Sequence, residues 1–148
     1  MVRVLATGTF DILHPGHLRY LSEARSLGDE LYVIVARDSM IKHKPKPVVP
    51  EAQRLAMVQG LRIVDKAMLG SEKDMFEPLR ENRPDIIALG QNQFFKEAEL
   101  EKQLKDQGIN AKVVRIRSFD KCELCSSAAI IRKIQQRTCT NWNELQSH

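Results

Sequence analysis

Two histidines, His14 and His17, stand three residues apart in the run Gly8-Thr9-Phe10-Asp11-Ile12-Leu13-His14-Pro15-Gly16-His17. Residues at that spacing on a helical turn project to the same side, so both imidazoles can donate hydrogen bonds to one phosphate group. A helix start offers unpaired backbone N–H groups and the positive end of the helix dipole, a natural anion site. Gly8 lets backbone approach a ligand closely, and Gly16 keeps the first turn free of side-chain bulk. The plainer reading of the tetrapeptide is a capped helix start with one packed and one solvated histidine. What favours phosphate is the context, Gly-Thr-Phe-Asp directly after a first apolar run.

Positive charge lies close by in the sequence. Between Arg37 and Lys66 there are seven basic residues against Asp38, Glu51 and Asp65, although the whole chain carries only +4. A locally positive surface suits a phosphorylated ligand. The loop Lys42-His43-Lys44-Pro45-Lys46-Pro47 gathers three ammonium groups, and its prolines restrict it. Lys44 and Lys46 are candidates to reach substrate phosphates; the alternative is a solvated, like-charged loop. Arg54 and Arg62, on or just after the next helix, are candidate contacts to the phosphate of a second substrate, or simply surface arginines. Nucleic acid is not an expected partner, because eight aromatics leave little to stack on bases.

The elements that must hold these residues alternate along the 148-residue chain. Strands are expected at Val2 to Thr7, Glu30 to Ala36, Lys66 to Leu69, Asp85 to Leu89 and Lys112 to Ile116. Helices are expected at Pro15 to Leu27, Glu51 to Leu61, Asp74 to Asn82, Lys96 to Gln107 and Ser126 to Arg137. Such alternation argues an α/β fold, a Rossmann-like doubly wound sheet of five parallel strands in a single domain over 1–137. In open sheets of this kind ligands bind beyond the carboxyl ends of the strands. Residues 138–148 have no clear period and read as an irregular tail.

With 43 % hydrophobic and 28 % charged residues the composition is that of a globular protein, and disorder is not expected. No window approaches the ~18 apolar residues of a membrane span, and Met1 to His17 lacks a signal-peptide pattern. No membrane partner and a reducing, cytoplasmic setting are therefore expected. Three cysteines make no disulfide framework. Cys122 and Cys125 with Cys139 could be packed side chains, a redox-sensitive pair or thiols lining a pocket. Zinc is the weaker alternative, since only one Cys-x-x-Cys pair is present.

The Gly8-Thr-Phe-Asp and His14-Pro-Gly-His17 segments resemble the signature of the nucleotidylyltransferase superfamily, in its cytidylyltransferase-like branch. Further segments resemble archaeal-type FAD synthase, an FMN adenylyltransferase: Leu27 to Leu31, Val35 to Ser39, Pro50 to Arg54, Pro84 to Gly90 and Cys122 to Ser127. The resemblance implies AMP transfer from ATP to FMN, with the acceptor's own phosphate attacking and pyrophosphate leaving. It implies His14, His17, Lys44 and Lys46 in catalysis, and a divalent metal ion, magnesium by preference, with the triphosphate. It also implies nucleotide contacts at Thr9, Phe10, Asp11, Pro15, Gly16, Asn92, Phe119, Ser126 and Ser127. Asn92 stands where the family usually carries Asp, and Phe119 where it commonly carries Tyr, which leaves the base open. The resemblance extends to glycerol-3-phosphate cytidylyltransferases. A non-catalytic nucleotide-binding relative is the alternative from another class, and a homodimer stays open.

Overall fold

A computed structural model describes residues 1–42, 45–91, 93, 95–117 and 122–137. The expected positions Lys44, Asn92 and Phe119, and the tail 138–148 with Cys139, lie outside the described residues.

Five apolar runs form a parallel sheet. β1 (Arg3–Gly8), β2 (Glu30–Val35), β3 (Lys66–Leu69), β4 (Ile86–Leu89) and β5 (Lys112–Arg115) lie in the order β3-β2-β1-β4-β5. β1 is central, pairing Arg3 with Glu30 through Gly8 with Val35 on one side and Val4 with Ile86 on the other. Chain order runs outward from β1 to β3 and then resumes at β4, on the opposite side of β1. The resulting crevice at the carboxyl ends of β1 and β4 is where such sheets bind ligands.

Helices α1 (Pro15–Ser26) and α2 (Glu51–Gln59) cover one face, where Leu21, Ala24 and Val58 bury against Val4, Ala6, Val33 and Val35. Helices α3 (Glu77–Asn82) and α4 (Glu97–Asp106) cover the other, with Leu79, Leu100 and Leu104 on Leu5, Ile87, Leu89 and Val113. Alternate residues of one strand therefore serve two cores, as a doubly covered sheet requires. Helix α5 (Ser127–Gln136), the last among the described residues, is different: none of its residues is fully buried.

Several element ends fall inside the expected ranges for local reasons. α3 begins at Glu77, because the Asp74 carboxylate first accepts the Phe76 N–H at 2.9 Å and holds a turn. α2 stops at Gln59, before Gly60. β4 begins after Asp85, whose side chain accepts the Arg3 N–H at 2.8 Å.

Candidate active site

The signature leaves β1 through a tight reversal. Phe10 has a positive φ of 54°, and its ring is buried. That ring lies so close to Gly8 that a Cβ there would approach it to 2.9 Å. Phe10 thus fills the Cβ direction at Gly8, while the Gly8 backbone itself borders the cleft described below. Phe10 in turn tilts against His17, with ring centroids 5.2 Å apart.

His14 caps α1. Its Nδ1 accepts the Gly16 N–H at 3.0 Å, and its carbonyl accepts the N–H groups of His17 and Leu18. Pro15 at the first helical position has no N–H to offer. The first turn of α1 is therefore closed, contrary to the expectation of unpaired donors there. The rings of His14 and His17 stack with centroids 3.8 Å apart. Burial lowers the His14 pKa; burial first, and then the neighbouring His14, push His17 down to about 4, against a smaller pull from Asp11. Both imidazoles are accordingly neutral donors at pH 7. His17 Nδ1 is buried without a partner among the described residues, so Nε2 is the nitrogen it can turn to a ligand.

A cleft of about 580 Å³ opens beside His17, between the signature, Lys46, Gly90 and the start of α5. Thr9, Phe10, Asp11 and Ser127 line it. Ser126 caps α5, accepting the Ala129 N–H at 3.0 Å. The N–H groups of Ser127 and Ala128 have no partner among the described residues, and both residues border the cleft. The Ser127 hydroxyl donates to the Ile12 carbonyl at 3.2 Å and tethers α5 to the signature. Gly16 is where the two helix starts meet: a Cβ there would lie 2.9 Å from the Cys125 carbonyl. Cys122 and Cys125 are joined by a disulfide, with Cα atoms 5.3 Å apart, so the turn before α5 holds no free thiolate for zinc.

Asp11 accepts the N–H groups of Val48 and Val49 at 3.0 and 2.8 Å. Both carboxylate oxygens are committed to fixing the basic loop, which brings Lys46 to the cleft. Among the described residues no three His, Cys, Asp or Glu side chains are grouped to hold a metal ion. The donor set does not fit a resident metal.

The two arginines depart from expectation. Arg54 is buried, not poised for substrate: it donates to the carbonyls of Val49, Thr9 and Ala36 at 2.7–2.8 Å and pairs with Asp38 at 2.6 Å. Its guanidinium pins the signature, the end of β2 and the basic loop together. Arg62 is exposed between α2 and β3, three residues before Asp65, which bonds Leu31 near the start of β2. That places it at the amino ends of the strands, the far edge from the cleft.

Sequence reasoning missed Tyr20 and Gln93. The buried Tyr20 hydroxyl donates to the Ala88 carbonyl at 2.6 Å, across the ends of β1 and β4. Gln93 donates to Thr7 Oγ1 at 2.9 Å and accepts the Gly90 N–H at 2.8 Å. Position alone could have flagged Gln93, four residues past β4 at the crevice.

A parallel sheet whose strand order reverses at this crevice, with two stacked histidines at a helix start beside it, is the arrangement of a ligand-binding α/β domain. A family model described as cytidylyltransferase-like matches residues 5–133, and the chain belongs to that family. Within it the chain is 64 % identical over 137 residues to the FAD synthase of Methanococcoides burtonii, covering 93 % of this chain and 96 % of that protein. It is 63 % identical over 140 residues to the FAD synthase of Methanohalophilus mahii, covering 95 % and 99 %. Among solved structures, a lipopolysaccharide core biosynthesis protein from Thermoplasma volcanium superposes with a TM-score of 0.78 at 50 % identity, over 81 % of this chain and 99 % of that one. A pantoate-beta-alanine ligase from Francisella tularensis reaches 0.56 at 16 % identity, over 96 % and 67 %, a likeness of fold alone.

Proposed function

We infer that this chain is an FMN adenylyltransferase, joining AMP from ATP to FMN to give FAD and pyrophosphate. The observation that carries this is His17 on the wall of the cleft with His14 stacked behind it, in a chain 64 % identical to a protein named FAD synthase. An FMN phosphate oxygen forms a bond to the α-phosphorus of ATP. The bond from that phosphorus to the β-phosphate bridging oxygen breaks, and pyrophosphate departs with the electron pair. No side chain need form a covalent intermediate, so the protein's task is alignment and charge stabilisation.

His17 Nε2 donates to a phosphate oxygen, and His14 shields and orients that ring through the stack. The open N–H groups of Ser127 and Ala128 and the ammonium of Lys46 hold the phosphates, and Lys44 is assigned to the substrate phosphates on the strength of the resemblance. Asn92 and Phe119 are assigned to the base on the strength of the resemblance. A divalent ion enters with the triphosphate as part of the substrate, since the described residues form no cage for it. The reaction needs two small soluble substrates and neither nucleic acid nor membrane, and a cytoplasmic location suits it. No helix among the described residues is long and apolar enough to cross a membrane.

Pyrophosphate release is to be measured with ATP or CTP against FMN or glycerol 3-phosphate, each with magnesium and other divalent ions. The expected result is turnover with ATP and FMN. Turnover with CTP and glycerol 3-phosphate alone overturns the substrate assignment, and nucleotide binding without product overturns catalysis.

A further inference from the structure

Four parallel ladders build the sheet, and three of them close at the carboxyl end in the same way. The first residue past the outer strand donates its N–H to the strand beside it: Ala36 to the Gly8 carbonyl at 2.9 Å, Gly70 to Val35 at 3.0 Å and Ile116 to Leu89 at 2.8 Å. The β1–β4 ladder is the exception. Its last pair is Ala6 with Ala88, and in that register the matching bond would run from the Gly90 N–H to the Thr7 carbonyl. The Gln93 amide stands in its place. Oε1 accepts the Gly90 N–H at 2.8 Å, while Nε2 donates to the Thr7 carbonyl at 3.1 Å and to Thr7 Oγ1 at 2.9 Å.

We propose that Gln93 is a positioning residue, a spacer that holds β1 and β4 apart at the crevice so that a nucleotide fits between their ends. Two strands that simply parted would leave a carbonyl and an N–H unpaired, which is costly away from water. An amide offers both an acceptor and two donors, so it satisfies both groups and keeps them a side chain's width apart. Gln93 is itself fixed, because the Arg115 guanidinium donates to the carbonyls of Gly90 and Gln93 at 2.9 and 2.8 Å. The consequence for the nucleotide rests on the adenylyl-transfer reading; the spacing does not.

Thr7, Gly90 and Gln93 line the phosphate cleft, and Thr7 and Gln93 also border an apolar pocket of about 330 Å³ against α3 and α4. Thr9 lies two residues beyond Thr7, and Asn92 directly precedes Gln93 in sequence. Both are assigned to the nucleotide by the resemblance. The spacer thus sets the distance between two segments that have to grip one ligand, at the crevice where the strand order reverses. Truncating Gln93 frees the Gly90 N–H to bond the Thr7 carbonyl directly, as the other three ladders do. The crevice then narrows and no backbone group is left unpaired.

The test is Gln93→Ala in the full chain. Binding of ATP with magnesium is to be measured by calorimetry and stability by thermal melting. The new ladder bond is to be read as the NMR coupling across it, from the Gly90 amide nitrogen to the Thr7 carbonyl carbon. The variant is expected to show that coupling, which the wild type lacks, and to melt within about 3 °C of the wild type or above it. It is expected to bind ATP at least about tenfold more weakly. A smaller loss of ATP affinity overturns the proposal. So does a variant that melts further below the wild type or fails to fold, since Gln93 is then a structural brace. Coupling already present in the wild type, or missing from the variant, overturns the spacing. A wild type that binds ATP but releases no pyrophosphate with FMN overturns the adenylyl-transfer reading alone, and the three readouts on the variant still decide the role of Gln93. A wild type that binds neither ATP nor CTP overturns both.

Discussion

Two helix starts converge on the cleft, and they are built in opposite ways. α1 is closed by His14 and anchored by Leu21 and Ala24 in the core. α5 has no fully buried residue, leaves the N–H groups of Ser127 and Ala128 without a partner among the described residues, and is tethered to the signature through Ser127. The rigid start holds the side chains that need accurate placement, while the open one presents backbone donors. The histidine motif and the open backbone donors are thus 110 residues apart in sequence, from His17 to Ser127.

The largest way to break the rigid half is Arg54→Ala. Three carbonyls and Asp38 lose a buried partner, and truncating such a pair costs about 3–5 kcal/mol. Chemical denaturation should show that loss, and a change within ~1 kcal/mol would mean the clamp is dispensable.

Next comes His17→Ala, expected to lower kcat by about 10²–10³, the scale of losing one transition-state donor. ATP affinity should fall much less, because α5 still presents its N–H groups. His17→Asn should recover part of the rate, as its amide donates without charge. A stable His17→Ala protein with near-normal kcat would remove the catalytic role.

The same histidine should set an acid limit on stability. Its folded pKa, about 4, lies below the usual 6.5. Between those values the unfolded chain binds more protons, so stability is full above pH 6.5 and declines as pH falls toward 4. Allowing for its partial exposure, the decline is about 2 kcal/mol. Denaturation at pH 7 and pH 4.5 should show a smaller pH difference in His17→Ala than in the wild type.

Ser127→Ala tests the open half and should have the smallest effect. Without the Ile12 contacts α5 must be re-ordered when the nucleotide binds, and an ordering cost of about 1 kcal/mol is read as a roughly fivefold rise in the ATP dissociation constant. Since α5 carries little core, the melting temperature should scarcely move. A large drop in melting temperature with unchanged ATP binding would reverse the contrast between the two starts.

Periodicity made the five strands and five helices legible in the sequence, because each strand is a compact apolar run and each helix has a recognisable start or stop. The His14 and His17 signature was legible as well, being contiguous. What escaped depends on chain segments far apart. Arg54 reads as a surface residue until β1, β2 and the basic loop turn out to end around it. Asp11 reads in the sequence as a ligand candidate alone, and its hold on Val48 and Val49 appears only in the folded chain. Arg62 was an avoidable miss, since a residue between a helix and the next parallel strand belongs at the far edge of the sheet. The apolar pocket lies between α3, α4 and the strand ends, and no single segment announces it.

The bond from the Gly16 N–H to His14 Nδ1 has one more consequence. It allots the single proton of the neutral ring to Nε2 and removes the freedom to switch tautomers or flip the ring. A second proton on His14 would need the lone pair that α1 is using, so this imidazole cannot charge without uncapping its helix. His14 is therefore a donor of fixed direction and fixed charge, and the variable member of the pair is His17, whose Nδ1 no bond restrains. An incoming polyphosphate would meet two uncharged imidazoles at pH 7, one fixed by its helix and one whose orientation no such bond sets.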